Sequence, residues 1–456
     1  MFASDCSEGS APAVPIRILD PGQLERWRAG ATEFQRNFAA ASPFRARPDS
    51  ALLVPGSDGR LDEVLVGRAE HGVLWTLACL PALLPAAEFC IEGEADPELE
   101  SLALGWALGH YRYDRYKPID RAGSVLRVPE ALRARIEMLR DVWFRVRDLV
   151  NTPAGDLGPA ELAEVAAELA ERQGAAFEVI EGARLEREFP AIQAVGRAST
   201  RTPRLIRMEW GDPSHRPLAL VGKGVVFDTG GLDIKASAGM ALMKKDMGGA
   251  AHVLGLAELI MRTGLSVHLR VYIPAVENSI AGNAYRPSDI LRTRDGTSVE
   301  IGNTDAEGRV VLSDALTLAA EDGAERIIDF ATLTGAARVA LGEDLPPLYA
   351  RDPAQARSLQ DLSFQLDDPL WHMPLYMPYK SQIQPKIADL SNSGTSSFGG
   401  SLTAALFLDH FVPKGIDWMH LDVYAWNLGD RPGRPAGGEA QGLRTMLAWL
   451  ERDYRG

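Results

Sequence analysis

The chain of 456 residues holds only three cysteines, Cys6, Cys79 and Cys90, widely spaced and without a C-x-x-C pair. That excludes a disulfide framework or a thiolate zinc site and suits a reducing compartment. Long apolar runs are also missing. The most apolar stretch, 73–89, is cut by Pro81 and Pro85 and is too short to span a bilayer. The N-terminal "MFASDCSEGSAPAV" has neither the basic start nor the apolar core of a signal peptide. A cytoplasmic protein with no membrane partner is therefore expected. Positive charge is in deficit, with a net charge of -14. This argues against a nucleic-acid groove, which needs clustered cations. The eight histidines are scattered, with no H-E-x-x-H or H-x-x-E-H spacing, so a histidine-based zinc protease is disfavoured. "VGKG" is not set in a P-loop pattern, "GTSSFGG" is not a G-x-S-x-G elbow, and no internal repeat occurs.

What is present is an ordinary globular composition, 46% apolar and 24% charged, over a length that calls for two or three domains. The first ten or so residues are expected to be disordered. Short strands and helices follow to residue 128, among them a helix in "PELESLALGWALGHY", where Leu99, Leu102, Ala103 and Trp106 share one face. Residues 129–150 read as a connecting helix, opened by Pro129 and carrying Leu132, Ile136, Leu139, Val142 and Val146 on one side. From 151 to 456 strands and helices alternate. "RPLALVGKGVVF", "SVHLRVYIPAV", "TSVEIG", "ERIIDFATLTG" and "WMHLDV" read as strands, between helices such as "GGAAHVLGLAELIMRTG" and "VVLSDALTLAAED". Such alternation predicts an α/β layer with a largely parallel sheet, and ligands at the carboxyl ends of its strands.

Two stretches at predicted strand ends concentrate acids and glycines. They are "VGKGVVFDTGGLDIKASAGMALMKKDMGGAA" (221–251) and "NTDAEGR" (303–309). Together they offer Asp228, Asp246, Asp305 and Glu307, hard oxygen ligands for a divalent cation. Four carboxylates would neutralise two divalent ions, so charge counting favours a two-metal site, with metals about 3.5–4 Å apart. Lys223, between two glycines, could ligate as a neutral amine, whereas Lys235 and Arg309 would stay cationic and stabilise oxyanion charge. Each residue also has a plainer reading. Asp246 could cap the helix that follows it, and Asp305 and Glu307 could favour the positive end of the helix behind them.

Taken together, the stretches resemble the leucyl aminopeptidase family, the M17 di-metal exopeptidases. "NTDAEGR" is similar to its signature and "VGKGVVFDTGG…K…DMGGAA" to its other metal-binding block. The likeness extends through "VNTP", "ENSIAGNAYRPSDIL", "LSDALTLA", "DFATLTGA" and "DLSN", from Val150 to about Val423, and more weakly to "ALGHYRYDRYK". The resemblance implies a small N-terminal α/β domain joined by a helix to a larger catalytic domain with a mixed sheet flanked by helices. It implies that Lys223, Asp228, Asp246 and Glu307 bind a tighter metal, and that Asp228, Asp305 and Glu307 bind an exchangeable one. Lys235 would polarise the scissile carbonyl, and Arg309 would hold a bicarbonate acting as general base for a metal-bridging water. Zinc is the implied metal, with manganese or magnesium possible at the exchangeable position. Peptides with a free N-terminus are the implied substrates, and a homohexamer the implied assembly.

By the same resemblance Met243, Thr332 and Gly335 line the pocket for the first side chain, which suits an apolar, leucine-like residue. A narrow dipeptidase, such as a cysteinylglycine hydrolase, needs the same chemistry, and a DNA-binding or scaffold role is the reading from another class. The chain departs from better-known members at Asp233, where a serine is usual, and at Ala236, where a proline is common. It departs again in "VYAWNLGDRPGRPAGGEAQG". Asp233 is expected to perturb the nearby Lys235.

Overall fold

The computed structural model describes residues 1–4, 13–70, 72–92, 96–119 and 123–454. It divides into two compact units. One is Met1–Phe144 with Gly429–Ala436, the other Arg145–Leu428 with Gly437–Gly456. The division falls inside a helix, Glu130–Asn151. Phe2–Ser4, within the stretch expected to be disordered, is a strand. Residues 5–12 lie outside the described residues.

The first unit is built on a six-stranded sheet, ordered Phe2–Ser4, Val125–Val128, Glu88–Ile91, Val14–Leu19, Leu61–Gly67 and Ala51–Pro55. All neighbours pair in parallel except the last two, joined as an antiparallel hairpin. Its first helix, Pro21–Gly30, starts at a reciprocal cap. The Gln23 N–H donates to Asp20 Oδ1 at 2.7 Å, and the Asp20 N–H donates to Gln23 Oε1 at 2.7 Å.

The second unit holds the larger, mixed sheet. At its centre Asp417–Asp422, Arg326–Ala331, Pro217–Gly222 and His268–Asn278 run parallel. Their residues are buried on both faces, as expected of parallel strands covered by helices. Antiparallel strands close the sides: Arg204–Trp210 and Ala176–Glu181 on one, Pro347–Ala350 on the other. The helices Gly248–Thr263 and Glu307–Glu321 are buried along nearly their whole length; the second also buries polar residues, among them Asp314, which accepts from the Ala191 and Ile192 N–H groups.

Two strand expectations change in detail. "RPLALVGKGVVF" is two strands, Pro217–Gly222 and Gly224–Asp228, both paired with His268–Asn278 and broken at Lys223. The Lys223 N–H turns to the Phe330 carbonyl at 3.0 Å, and its own carbonyl accepts from the Ala250 N–H at 2.8 Å. The chain thus leaves one ladder position and enters the next at the residue that offers its amine. The strand of "TSVEIG", Ser298–Glu300, joins a separate three-stranded sheet with Ile290–Arg292 and Leu390–Ser391.

A buried ion pair ties the C-terminal part of the helix Glu130–Asn151 to the residue that follows the short strand Gly437–Gly438. Arg147, fully buried, donates Nε to Glu439 Oε1 and Nη2 to Glu439 Oε2, both at 3.0 Å. Removing the carboxylate of such a pair takes two charge-assisted hydrogen bonds from a desolvated guanidinium. Glu439→Ala should therefore cost about 3–5 kcal/mol in denaturant unfolding, and the Arg147→Met/Glu439→Leu double variant should recover most of the loss.

Candidate metal centre

The carboxyl ends of the parallel strands deliver the acidic stretches to one place. Asp228 ends its strand, and Lys223 follows Gly222. Asp246 lies in the one-turn helix Met243–Met247, and Glu307 opens the helix Glu307–Glu321. One carboxylate oxygen each from Asp228, Asp305 and Glu307 lie within 4.8 Å of one another. Asp246 joins them through Lys223, whose Nζ stands 2.7 Å from Asp246 Oδ2 and 2.9 Å from Glu307 Oε1 and donates to the Thr332 carbonyl at 3.0 Å. Lys235 makes the matching bridge on the other side, 2.8 Å from Asp228 Oδ2 and 2.5 Å from Asp305 Oδ1. All seven charged residues singled out in the sequence are in or beside this cluster. Met243, Thr332 and Gly335 line the same cavity, of about 440 Å³.

The plain helix-cap reading of Asp246 is not what the fold uses. The helix Gly248–Thr263 begins at Met247 with no side-chain cap, while Asp246 Oδ1 accepts from Thr332 Oγ1 at 2.8 Å. Glu307 does sit in the first turn of its helix, where the dipole favours an acid, and it faces the cluster as well. Glycine is required where the parts close up. A Cβ on Gly308 would stand 2.5 Å from Lys223 Cε, and Gly230, with φ +87°, would collide with Asp305 Oδ1 at 2.8 Å.

Side chains outside the two stretches hold the loops. Asn278 Nδ2 donates to Asp228 Oδ1 at 2.8 Å and to the Thr304 carbonyl at 3.1 Å. Tyr285 donates its hydroxyl to the same carbonyl at 2.6 Å. Asn392, from "DLSN", accepts from the Gly302 N–H at 2.8 Å and donates to the Asn303 carbonyl at 2.7 Å. Their place in the flanking segments is the only mark they carried in the sequence. Asp233 is bonded to Thr304. Its Oδ2 accepts from the Thr304 N–H at 2.7 Å and its N–H donates to Thr304 Oγ1 at 2.8 Å, so it clips the loop 229–235 to the acidic turn.

The electrostatics suit a cation. Four carboxylates face two ammonium groups, which leaves two negative charges in a mostly buried cluster. Glu307 is only 1% exposed, and its Oε2 is buried with no hydrogen-bond partner among the described residues. Burial pushes Glu307 and Asp246 above the ordinary carboxyl range and Asp305 up to about 6, the charge of Asp228 adding to each. Burial pulls Lys223 the other way, but the charges of Asp246, Glu307 and Asp228 outweigh it and hold the amine protonated. Donor type, convergence and the orphan oxygen all fit a divalent ion.

Arg309, one turn into the same helix, is 8% exposed, and its Nε is buried without a hydrogen-bond partner. No carboxylate pairs with it among the described residues. Burial brings its guanidinium down to about 10, against the opposing charges of Asp422 and Glu307. A buried, uncommitted guanidinium fits a small anion. On the cavity wall, Lys245 likewise has no carboxylate partner among the described residues, and burial pulls its amine down to about 8.

Two family models match the chain. The model described as "Cytosol aminopeptidase family, catalytic domain" covers residues 144–447, and the "M17 aminopeptidase, N-terminal domain" model covers 14–129. A sequence named "Probable cytosol aminopeptidase" from Rhodococcus opacus (strain B4) is 39% identical over 376 residues, 78% of this chain and 74% of the relative. One of the same name from Brucella ovis is 39% identical over 393 residues, 82% and 78% of the two chains. Among solved structures, a cytosol aminopeptidase from Coxiella burnetii superposes with a TM-score of 0.96 at 45% identity, covering 100% of this chain and 99% of the other. The bottromycin maturation enzyme BotP in complex with Mn gives a TM-score of 0.88 at 33% identity, over 98% and 100%.

The raised pKa of Asp305 sets a pH test. Asp305 keeps its proton up to about pH 6, so in the cation-free protein its contribution to stability falls as pH rises from the ordinary 3.8 through that value. A divalent ion must displace that proton. Calorimetric titration with Mn²⁺ near pH 6 should show proton release between buffers of different ionisation enthalpy. Affinity should also weaken from pH 7 to 5, and an affinity flat across that window would contradict the assignment.

Proposed function

The chain belongs to the cytosol aminopeptidase family and is a metal-dependent aminopeptidase acting on peptide N-termini; from that premise we propose the assignment of its parts. The observation that carries the reading is the buried convergence of Asp228, Asp305 and Glu307 at the carboxyl ends of the parallel strands, bridged by Lys223 to Asp246.

Lys223, Asp228, Asp246, Asp305 and Glu307 would hold two divalent cations, with Asp228 and Glu307 shared. Zinc is the proposed metal, with manganese or magnesium accepted at the outer position; the Mn complex of the related enzyme BotP supports manganese. When bound, such ions supply Lewis-acid polarisation and lower the pKa of a water. Lys223 would then serve as a neutral amine, its proton displaced by the cation charge. Lys235 lies on the cavity side of Asp228 and Asp305, where its ammonium can take up charge growing on the scissile carbonyl oxygen. Arg309 would hold a bicarbonate, which when bound would supply a general base for the attacking water. Only an unblocked α-amine would be admitted beside the acidic cluster.

No helix among the described residues is long and apolar enough to cross a membrane. A cytoplasmic location is proposed from the names of the relatives, and a homohexamer from the family resemblance. The net charge of -14 supports peptide rather than nucleic-acid partners.

Unblocked X-Gly dipeptides should be hydrolysed and their N-acetylated forms left intact. Turnover should be lost with chelator and regained with zinc or manganese. Glu307→Ala should lower both metal content and turnover, the latter by about 10³-fold or more, since several kcal/mol of charge stabilisation depend on the ion. Retention of both in that variant would refute the reading. Arg309→Ala should lower kcat by about 10²-fold and abolish any stimulation by added bicarbonate, read by titrating bicarbonate into CO₂-depleted enzyme.

A further inference from the structure

The cavity beside the acidic cluster is not simply apolar. Met243 and Leu242 contribute apolar surface to it, and Lys245, two residues after Met243, reaches the same wall. Lys245 is 6% exposed. Its Nζ has neither a hydrogen bond nor a carboxylate partner among the described residues. It lies over the Tyr424 ring, 4.7 Å from the centroid. A buried ammonium is costly unless something satisfies it. A structural lysine would pair with an acid of the wall, but those acids are taken. Asp246, next in sequence, is bound to Lys223 and Thr332. Asp422 accepts from the Leu333 N–H at 2.9 Å, the Thr334 N–H at 3.2 Å and Thr334 Oγ1 at 2.6 Å. Glu343 accepts from the Leu428 N–H at 2.9 Å. Of the other cations of the wall, Lys223 and Lys235 are paired with the acidic cluster, and Arg338, exposed, meets Tyr424, its Nη1 3.3 Å from the hydroxyl and its Cζ 5.1 Å from the ring.

We propose that Lys245 makes this cavity selective for peptides whose first side chain carries a carboxylate, glutamate above all. The inference rests on the aminopeptidase reading and on Met243, Thr332 and Gly335 marking the first-side-chain pocket. A glutamate presents two methylenes to Met243 and Leu242 and a carboxylate to Lys245, a buried cation of the wall with no carboxylate partner among the described residues. The leucine-like preference suggested by the apolar positions alone gives way to an acidic one. Leucine would leave the ammonium buried and unpaired, and a site built for a polar partner discriminates against a residue lacking it.

The test uses metal-loaded enzyme and aminoacyl p-nitroanilides of Glu, Asp, Gln and Leu. These substrates have no C-terminal carboxylate, so a charge effect comes from the side chain alone; Glu-Gly and Gln-Gly run beside them expose any contribution from the other end. The expected result is a kcat/KM for Glu about tenfold or more above isosteric Gln, carried mainly by KM and shrinking with added salt. Lys245→Met should bring the Glu-to-Gln ratio to about one, and Lys245→Arg should keep most of it. Metal content and circular dichroism check that the variants fold. If one does not, the wild-type ratio and its salt dependence decide. Gln equal to or better than Glu in the wild type would overturn the proposal, as would a ratio unchanged in Lys245→Met. Cleavage of Leu without Glu would overturn it while leaving the aminopeptidase reading intact. No cleavage of any anilide or dipeptide would remove both.

Discussion

Like charges held together away from water are the constraint on which this structure turns. Asp228, Asp246 and Glu307 are buried and Asp305 half-buried, and their oxygens converge. Without compensation the cluster would push itself apart or take up protons, and the raised carboxyl pKa values show the second tendency at work. The fold answers with two lysines set between pairs of carboxylates, with the positive end of the helix Glu307–Glu321, and with amide donors from Asn278 and Gly230 to Asp228. What remains uncompensated is negative charge on oxygen donors, the condition under which a divalent cation binds.

Such a cluster has to be assembled by rigid parts, because a shift of a fraction of an ångström changes which charges meet. Four parallel strands end together and supply the platform. The loops above them are fixed by polar side chains whose partners are main-chain groups. Thr304 is the hub, held by Asn278, Tyr285 and Asp233. Asn392 braces the residues just before it. The substitution of an acid at position 233 is thus absorbed by loop architecture, and Lys235 is free to pair with Asp228 and Asp305.

Much of this was legible in the chain. The alternation of apolar runs located nearly every central strand and buried helix, because a strand or helix covered on both sides needs an unbroken apolar sequence. The seven charged positions could be chosen because acids, lysines and glycines crowd at two strand ends, where a surface turn would not require them. Less legible were the edge strand Ala176–Glu181 and its neighbour Arg204–Trp210, whose mixed composition reflects partial exposure. The break at Lys223 was hidden too, since the residues on both sides are equally strand-like. Lys245 went unremarked, because a lysine after a lysine in "LMKKDM" reads as a solvated face.

The sequence by itself determined the chemistry available, namely four hard oxygen donors, an amine, an ammonium, a guanidinium and the glycines that let them approach. Residue type and local period carry that information, as both are properties of short segments. Tertiary structure alone decided which groups are dry and which are paired. It put Asp233 on Thr304 instead of Lys235, left Arg309 without a carboxylate, and turned Lys245 inward against Tyr424. Burial and pairing arise from segments distant in the chain meeting in space, and they decide how strongly each charge acts.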